Sequence, residues 1–304
     1  MGVYTSTRDW FADVSPTWLV MTFARPYVAG ATEDHAIAAA RKLWSKRKLW
    51  CTLDVLGESS KDPDRCRAWV DMYMSIQGKI GDLPTAYVSL KPTALGYLIS
   101  EKECRDNIER VVTSAKVKGQ QVCIDMEDKS VTDATLRIYR FLRDKGLDNV
   151  STVVQAYMRR TPDDVEKLIK DGYKPNLRIC KGIYKADRDF KTMKEINDNY
   201  IRTAKLMADN GCYVGLASHD LPLIRRIRQE VIEPAKLTPD KFEWQMLLGV
   251  PVEKRQDELI AQGDHVRIYI PFGPPADAAA YCRRRFKENP KMFFFILKNM
   301  FYRK

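Results

Sequence analysis

The stretch STVVQAYMRRTPDDVEKLIKDGYKPNLRICKGIYK (residues 151–185) places a helical pattern over 161–171 between two short β-prone runs, 151–156 and 176–180. The first run is rich in β-branched residues, and the helical segment carries apolar residues three or four apart. Thr161 followed by Pro162 predicts an N-cap and first turn, and AspGlyTyr at 171–173 puts a glycine just past the helix end. The second run is odd for a buried strand. Arg178, Cys180 and Gly182 fall on one side and Ile179, Lys181 and Ile183 on the other, so each side carries a cation. Buried parallel strands read as near-continuous Val, Ile and Leu. The two cations therefore need acidic or hydrogen-bonding partners, an anionic cofactor among the candidates, unless the strand lies at a solvated edge.

Outward from this stretch the same unit repeats. β-prone segments recur at 50–56, 85–90, 120–125, 151–156, 176–180, 212–217, about 241–247 and 265–270. Helical patterns follow them at 62–79, 99–117, 131–144, 161–171, 189–210, 220–231, 252–262 and 275–288. Asp220 reads as an N-cap and Gly146 as a helix stop. Such an alternation predicts a (β/α)8 TIM-type barrel. A doubly wound open sheet would need a nucleotide fingerprint, and neither GxGxxG nor GxxxxGK[ST] occurs. Ahead of the rhythm, Thr32 as N-cap with Glu33 and Asp34 behind it predicts a helix through Lys46. The chain thus divides into an N-terminal helical arm, 1–48, and a barrel domain, 49–304, that closes with an extra C-terminal helix.

Composition narrows the function classes. The 304 residues are 45% hydrophobic and 30% charged, as in a globular protein with a sizeable core. A net charge of +11 favours anionic partners, yet the cations are spread along the chain with no nucleic-acid motif, so no nucleic acid is expected. Seven cysteines, odd in number and without a CxxC pair, argue against a disulfide framework and a zinc site and fit a cytoplasmic location. No run approaches the roughly 18 apolar residues of a membrane span. The MFFFIL run at 292–297 beside basic residues reads either as a terminal helix on the core or as a peripheral contact with the inner face of an anionic membrane.

In a barrel of this kind chemistry gathers at the C-terminal ends of the strands. Those ends carry Asp54, Lys91, Asp125 with Glu127 and Asp128, Gln155, the 178–184 stretch, Ser218 with His219, Gln245 and Tyr269. The segment PADAAAYCRRRFKE adds Tyr281, Arg284, Arg285 and Glu288 at i, i+3, i+4 and i+7, on one helical face. Two guanidinium groups beside an aromatic ring make a fork for a small carboxylate; the alternative is a solvated basic face with an Arg284–Glu288 pair.

Ten ordered blocks, ARPYVAG, CTLDVLGE, VSLKPTALG, IDMED, VVQAY, LRICKGIY, LASHD, FEWQMLLG, VRIYIPFG and YCRRRFKEN, resemble those of the proline dehydrogenase family, from about Phe23 to the end. The resemblance implies an FAD-dependent barrel enzyme that oxidises L-proline to 1-pyrroline-5-carboxylate by hydride transfer to flavin N5. It further implies a membrane quinone as electron acceptor and pyrroline-5-carboxylate dehydrogenase as functional partner. By the same resemblance Lys91, Asp125 and Tyr269 are the catalytic group, with Asp125 bonded to Tyr269. Arg284 and Arg285 bind the substrate carboxylate, Glu288 orients them, and Tyr184, Leu247 and Tyr281 wall the proline ring. Gln155, Arg178, Cys180, Lys181, Gly182, Ser218 and His219 bind FAD, with Arg178 near N5, Lys181 near the phosphates, and Gly182 letting the backbone approach. No metal is implied.

The sequence departs from the family at Ile183 for a usual alanine, at Lys185 for an apolar or aromatic residue, at Cys180 for valine and at Trp244 for phenylalanine, which bears on substrate scope. Hydroxyproline or another cyclic amino acid is the alternative substrate. Rival classes are a Schiff-base aldolase using Lys181 or Lys91 and a basic nucleic-acid-binding protein.

Overall fold

The computed structural model describes Val20 and residues 26–288, except the side chains of 185 and 284–288. Eight parallel strands close in sequence order: β1 (Trp50–Val55), β2 (Tyr87–Leu90), β3 (Val122–Ile124), β4 (Val150–Gln155), β5 (Asn176–Cys180), β6 (Tyr213–Ala217), β7 (Phe242–Leu247) and β8 (Val266–Phe272). β8 returns to β1 from Trp50↔Arg267 through Val55↔Phe272. β5 lies between β4 and β6, with Gln155↔Cys180 and Asn176↔Tyr213 in register. It has no free edge, so the edge-strand explanation of its cations falls.

The period of two sorts each strand into a dry face and a polar one. Leu53, Val88, Ile124, Leu177, Ile179, Leu216, Trp244 and Ile268 are buried in one continuous apolar core. Their side of the sheet meets the helices: Cys51 Sγ reaches the Ala40 carbonyl, and the Tyr200 hydroxyl donates to the Ile179 carbonyl. On the opposite face Ser89, Asp125, Arg178, Glu243, Gln245, Arg267 and Tyr269, from five strands, bond to one another across the barrel. The interior is therefore polar and paired, which is what makes buried charge tolerable.

Over residues 26–288 the α-helices are α1 (Glu33–Arg47), α2 (Pro63–Lys79), α3 (Glu101–Val117), α4 (Lys129–Asp144), α5 (Thr161–Lys170), α6 (Met193–Asp209), α7 (Leu221–Ile227), α8 (Glu253–Ala261) and α9 (Pro275–Glu288). Thr32 caps α1 and Asp220 caps α7 as the sequence predicts, and Gly146 and Gly172 adopt φ of 73° and 88°. Thr161 differs. Arg160 stands at the cap without a side-chain bond, and Thr161 begins the helix, its hydroxyl donating back to the Gln155 carbonyl. α6 starts later than predicted, at a Thr192–Glu195 capping box, since 185–187 form a 3-10 turn and Asp189 ties back to Arg159 N at 2.9 Å. The predicted 220–231 helix breaks into α7 and a π turn, Arg228–Ile232.

α1 packs on β1, β8 and α2, in the place where the helix after the last strand would seal the wall. α9 instead contributes Ala278, Ala279, Tyr281 and Cys282 to a separate apolar cluster with Val20, Val28 and Leu56, just past the end of β1. Between them the segment 26–30 lies along the end of β8, with Ala29 N donating to the Pro271 carbonyl at 2.9 Å and Gly273 N to that of Gly30 at 3.0 Å.

Candidate active site

Strands β1, β2, β3, β5, β7 and β8 deliver polar side chains to the C-terminal half of the barrel, two of them from β2 and its end, and these form one cluster. Asp125 is its hub. Its Oδ1 accepts from Ser89 Oγ and Arg178 Nη1, each at 2.7 Å, and its Oδ2 from the Tyr269 hydroxyl at 2.6 Å. Lys91 Nζ lies 3.8 Å from Asp125 Oδ2 and pairs directly with Asp54, which is 1% exposed. Arg178 also donates Nε to Gln245 Oε1 at 2.5 Å and lies 5.1 Å from the Tyr269 ring centroid.

These contacts set the charges. Burial raises the Asp125 pKa, but Arg178 and Lys91 outweigh it and hold the carboxyl below its ordinary range. Burial dominates at Asp54: against the pull of Lys91, and with Asp125 adding to the rise, its carboxyl is pushed up to about 6. Burial alone would lower Lys91, yet Asp54 and Asp125 reverse it and keep the ammonium charged. Tyr269 is held well above the usual phenol value by burial and then by Asp125. The cluster is thus a lysine and an arginine clamped by two carboxylates.

Around it stand the other candidates. Gln155 donates Nε2 to the Met126 and Glu127 carbonyls at 3.1 and 3.0 Å, bridging the ends of β3 and β4. Glu127, raised by burial against its two bonds from Thr93, holds the turn that follows Lys91. Lys181, just past β5, pairs with Asp220. Ser218 Oγ accepts from Asp220 N at 3.1 Å, and His219 Nε2 accepts from Leu247 N at 2.8 Å, which leaves Nδ1 to carry the ring proton. Cys180, Ile183, Tyr184 and Leu247 are half-buried.

Gly182 has φ of 96°, and a Cβ there would lie 1.5 Å from Tyr157 Cδ1, so its missing side chain makes room for that ring. Tyr281 is buried in the α9 cluster. The side chains of Arg284, Arg285 and Glu288 lie outside the described residues.

Lys91, Asp125, Arg178 and Tyr269 are therefore brought into one bonded group, with Gln155 at its rim. Asp54 and Gln245, placed at strand ends by the sequence but given no role there, turn out to hold Lys91 and Arg178. Ser89 and Glu243 were missed; their signal was the polar alternation with Lys91 and Gln245 two residues on. Trp244 faces the other way, donating Nε1 to Asp264 at 2.8 Å beneath Arg228, 5.8 Å from its ring. It does not line the barrel interior and cannot act on substrate scope from there.

Several buried polar atoms at this end of the barrel have no hydrogen-bond partner, among them Arg178 Nη2, Gln155 Oε1, Thr52 Oγ1 and the hydroxyls of Tyr73 and Tyr157. Buried groups of this kind are rarely left unpaired, so a donor from the middle of β5 and an acceptor at the end of the adjacent β4 point to a polar ligand at this mouth. Among the described residues no group of His, Cys, Asp and Glu could hold a metal ion, and no helix is long and apolar enough to cross a membrane.

Comparison with known proteins gives a consistent picture. The family model for proline dehydrogenase matches residues 36–296. The chain is 33% identical over 280 residues to proline dehydrogenase 1 of Bacillus subtilis subsp. natto, covering 91% of this chain and 90% of that protein. Proline dehydrogenase of Deinococcus radiodurans is 32% identical over 284 residues, covering 91% and 89%. Among solved structures, proline utilization A from Bdellovibrio bacteriovorus, inactivated by N-propargylglycine, matches with a TM-score of 0.80 at 24% identity. That match covers 88% of this chain and 33% of the longer one, and is a likeness of fold.

Proposed function

The chain belongs to the proline dehydrogenase family of oxidoreductases, and from that premise we propose that it oxidises L-proline to 1-pyrroline-5-carboxylate with bound FAD, passing the electrons to a quinone. The observation that carries the proposal is the Arg178–Asp125–Tyr269–Lys91 cluster at the C-terminal mouth, with Arg178 Nη2 and Gln155 Oε1 left unpaired beside it. Those two atoms suit the edge of a flavin ring, which offers both acceptors and a donor. Lys181, Ser218 and His219 follow the ends of the neighbouring strands β5 and β6 and would hold the rest of the cofactor; each already has a protein partner, so Lys181 would exchange Asp220 for phosphate. The support for Gly182 is weaker, since Tyr157 fills the space beside it.

When bound, the flavin supplies the two-electron acceptor for the C–H next to the proline nitrogen. The residues of this chain orient and polarise. Arg178 is held by Asp125 and Gln245 and stands as a fixed cation; Tyr269, held by Asp125 and stacked on Arg178, walls the ring; Lys91 stays protonated between Asp54 and Asp125. Arg284 and Arg285 on α9 would clamp the carboxylate with Glu288 behind them, and Tyr184, Leu247 and Tyr281 would complete the pocket, converting encounter into alignment. A quinone acceptor and a pyrroline-5-carboxylate dehydrogenase downstream rest on the family resemblance. The apolar run proposed for membrane contact, 292–297, and the basic residues after it lie outside the described residues.

The aldolase reading loses support here. A Schiff-base lysine must shed its proton, whereas Lys91 is stabilised in the charged form and Lys181 is paired with Asp220. The deciding experiment is the visible spectrum: a flavin band that bleaches on anaerobic addition of L-proline is expected. Colourless protein that also fails to take up added FAD refutes the proposal, and bleaching by hydroxyproline in preference to proline reassigns the substrate.

A further inference from the structure

The polar side chains inside the barrel are bonded in an unbroken line from its floor to the candidate active site. Arg267, at the start of β8, donates Nε and Nη2 to the two oxygens of Glu243 at 2.7 and 2.9 Å, and Nη1 to the carbonyls of Cys51 and Thr85 at 2.9 and 2.7 Å. Its guanidinium lies 4.0 Å from the Tyr87 ring centroid. Glu243 Oε1 accepts Gln245 Nε2 at 2.5 Å, Gln245 Oε1 accepts Arg178 Nε at 2.5 Å, and Arg178 Nη1 reaches Asp125 at 2.7 Å. All five are buried.

The amide in the middle has two unlike ends. Both Glu243 oxygens already accept from Arg267, and Oε2 also accepts from the Tyr213 hydroxyl at 3.0 Å, so Glu243 takes the NH2 end of Gln245. The carbonyl end is thereby turned toward Arg178. The reverse rotamer would set oxygen against carboxylate and N–H against N–H. The amide is also confined sideways, because a Cβ on Gly215 would lie 2.7 Å from Gln245 Nε2 and 3.2 Å from Arg178 Cα. With Nε fixed by Gln245 and Nη1 by Asp125, the guanidinium plane is held at two corners, and Nη2 is the corner without a protein partner.

We propose that Gln245 is the positioning residue of Arg178, and that Glu243, held by Arg267, sets the sense of its amide so that Nη2 is the nitrogen offered to the cofactor. The proposal rests on the assignment of Arg178 to the flavin site made above. It gives a task to residues of the barrel floor that touch neither substrate nor cofactor.

The test uses the full chain loaded with FAD. Gln245→Met keeps the side-chain length and removes both bonds. Loss of a hydrogen bond to a charged group predicts a proline-driven flavin reduction rate lower by roughly 10- to 100-fold, with a smaller change in KM for proline. The flavin midpoint potential is expected to fall, since a fixed cation no longer stands beside the ring. Combining Gln245→Met with Arg178→Lys is expected to add little to Arg178→Lys alone, because Gln245 acts through that arginine.

A folded, flavin-loaded Gln245→Met variant with wild-type rate and potential overturns the proposal, as do fully additive effects in the double variant. If Gln245→Met does not fold, Gln245→Glu serves. It keeps an acceptor for Arg178 but sets two carboxylates together, so its reduction rate should rise relative to wild type as pH falls and a shared proton restores the bonding. A pH profile parallel to wild type overturns the proposal in that case. Wild-type protein that never bleaches refutes the functional assignment instead, so the two failures are distinct.

Discussion

Asp125→Asn is the most informative single change in the cluster. It preserves shape, because the amide oxygen can still accept from Ser89 and Arg178 while the Tyr269 hydroxyl turns to accept from the new NH2. What it removes is one of the two negative charges that balance Arg178 and Lys91. Breaking a buried ion pair from one side costs about 3–5 kcal/mol, and the low end applies here because Lys91 keeps Asp54. At roughly 2 °C per kcal/mol for a chain of this length, the melting temperature near pH 7 should fall by about 6 °C.

The pH dependence has a definite sign. Against burial, Arg178 and Lys91 hold the Asp125 pKa below its ordinary value, so the stability it adds is present above about pH 3.9. That stability is lost as pH falls through the lower native value. The gap between wild type and variant should therefore be widest near neutral pH and close in acid. Urea unfolding followed by circular dichroism across this range measures it. An unchanged stability at neutral pH, or a gap that widens in acid, refutes the assignment of Asp125 as the charged hub.

Gly182→Ala should destabilise the protein by about 2–4 kcal/mol, since φ of 96° disfavours any L side chain and the methyl group meets the Tyr157 ring. Thermal unfolding checks this, and Tyr157→Ala in the same chain should recover part of the loss; no recovery would mean that backbone strain alone is responsible. Trp244→Phe should cost about 1 kcal/mol of stability, since Asp264 Oδ2 loses its indole donor but keeps Arg228, yet leave kcat/KM for proline unchanged. A shift in the ratio of proline to hydroxyproline turnover would contradict its place outside the barrel.

The barrel was readable because its signal is local and repeated: each β-prone run is followed by a helical period of similar length. The candidate site was readable to the extent that polar residues stood at strand ends, which is how Lys91, Asp125, Gln155, Arg178 and Tyr269 were singled out. Partners were not readable, because they come from distant strands. Nothing near Arg178 in the chain announces Gln245, and nothing near Gly182 announces the Tyr157 ring. Trp244 could have been placed from its own block, where Phe242, Trp244 and Met246 alternate with Glu243, Gln245 and Leu247. Thr161 was misread as a cap because a threonine before proline has the same local pattern whether it precedes a helix or begins one.

The position of α1 bears on how the chain reaches its native state. Arg47 at its end bonds to Asp257 on α8, 210 residues later, and the helix that buries Ala36, Ile37 and Ala40 packs on β8 as well as on β1 and α2, so its cover is complete only once β8 has joined β1. During synthesis these residues leave the ribosome early, while β8 and α8 follow late, so part of that apolar stripe stays uncovered for most of the time the chain is being made. β8 thus locks α1 in place, and a chain stalled before Val266 would display a sticky surface that chaperones can recognise.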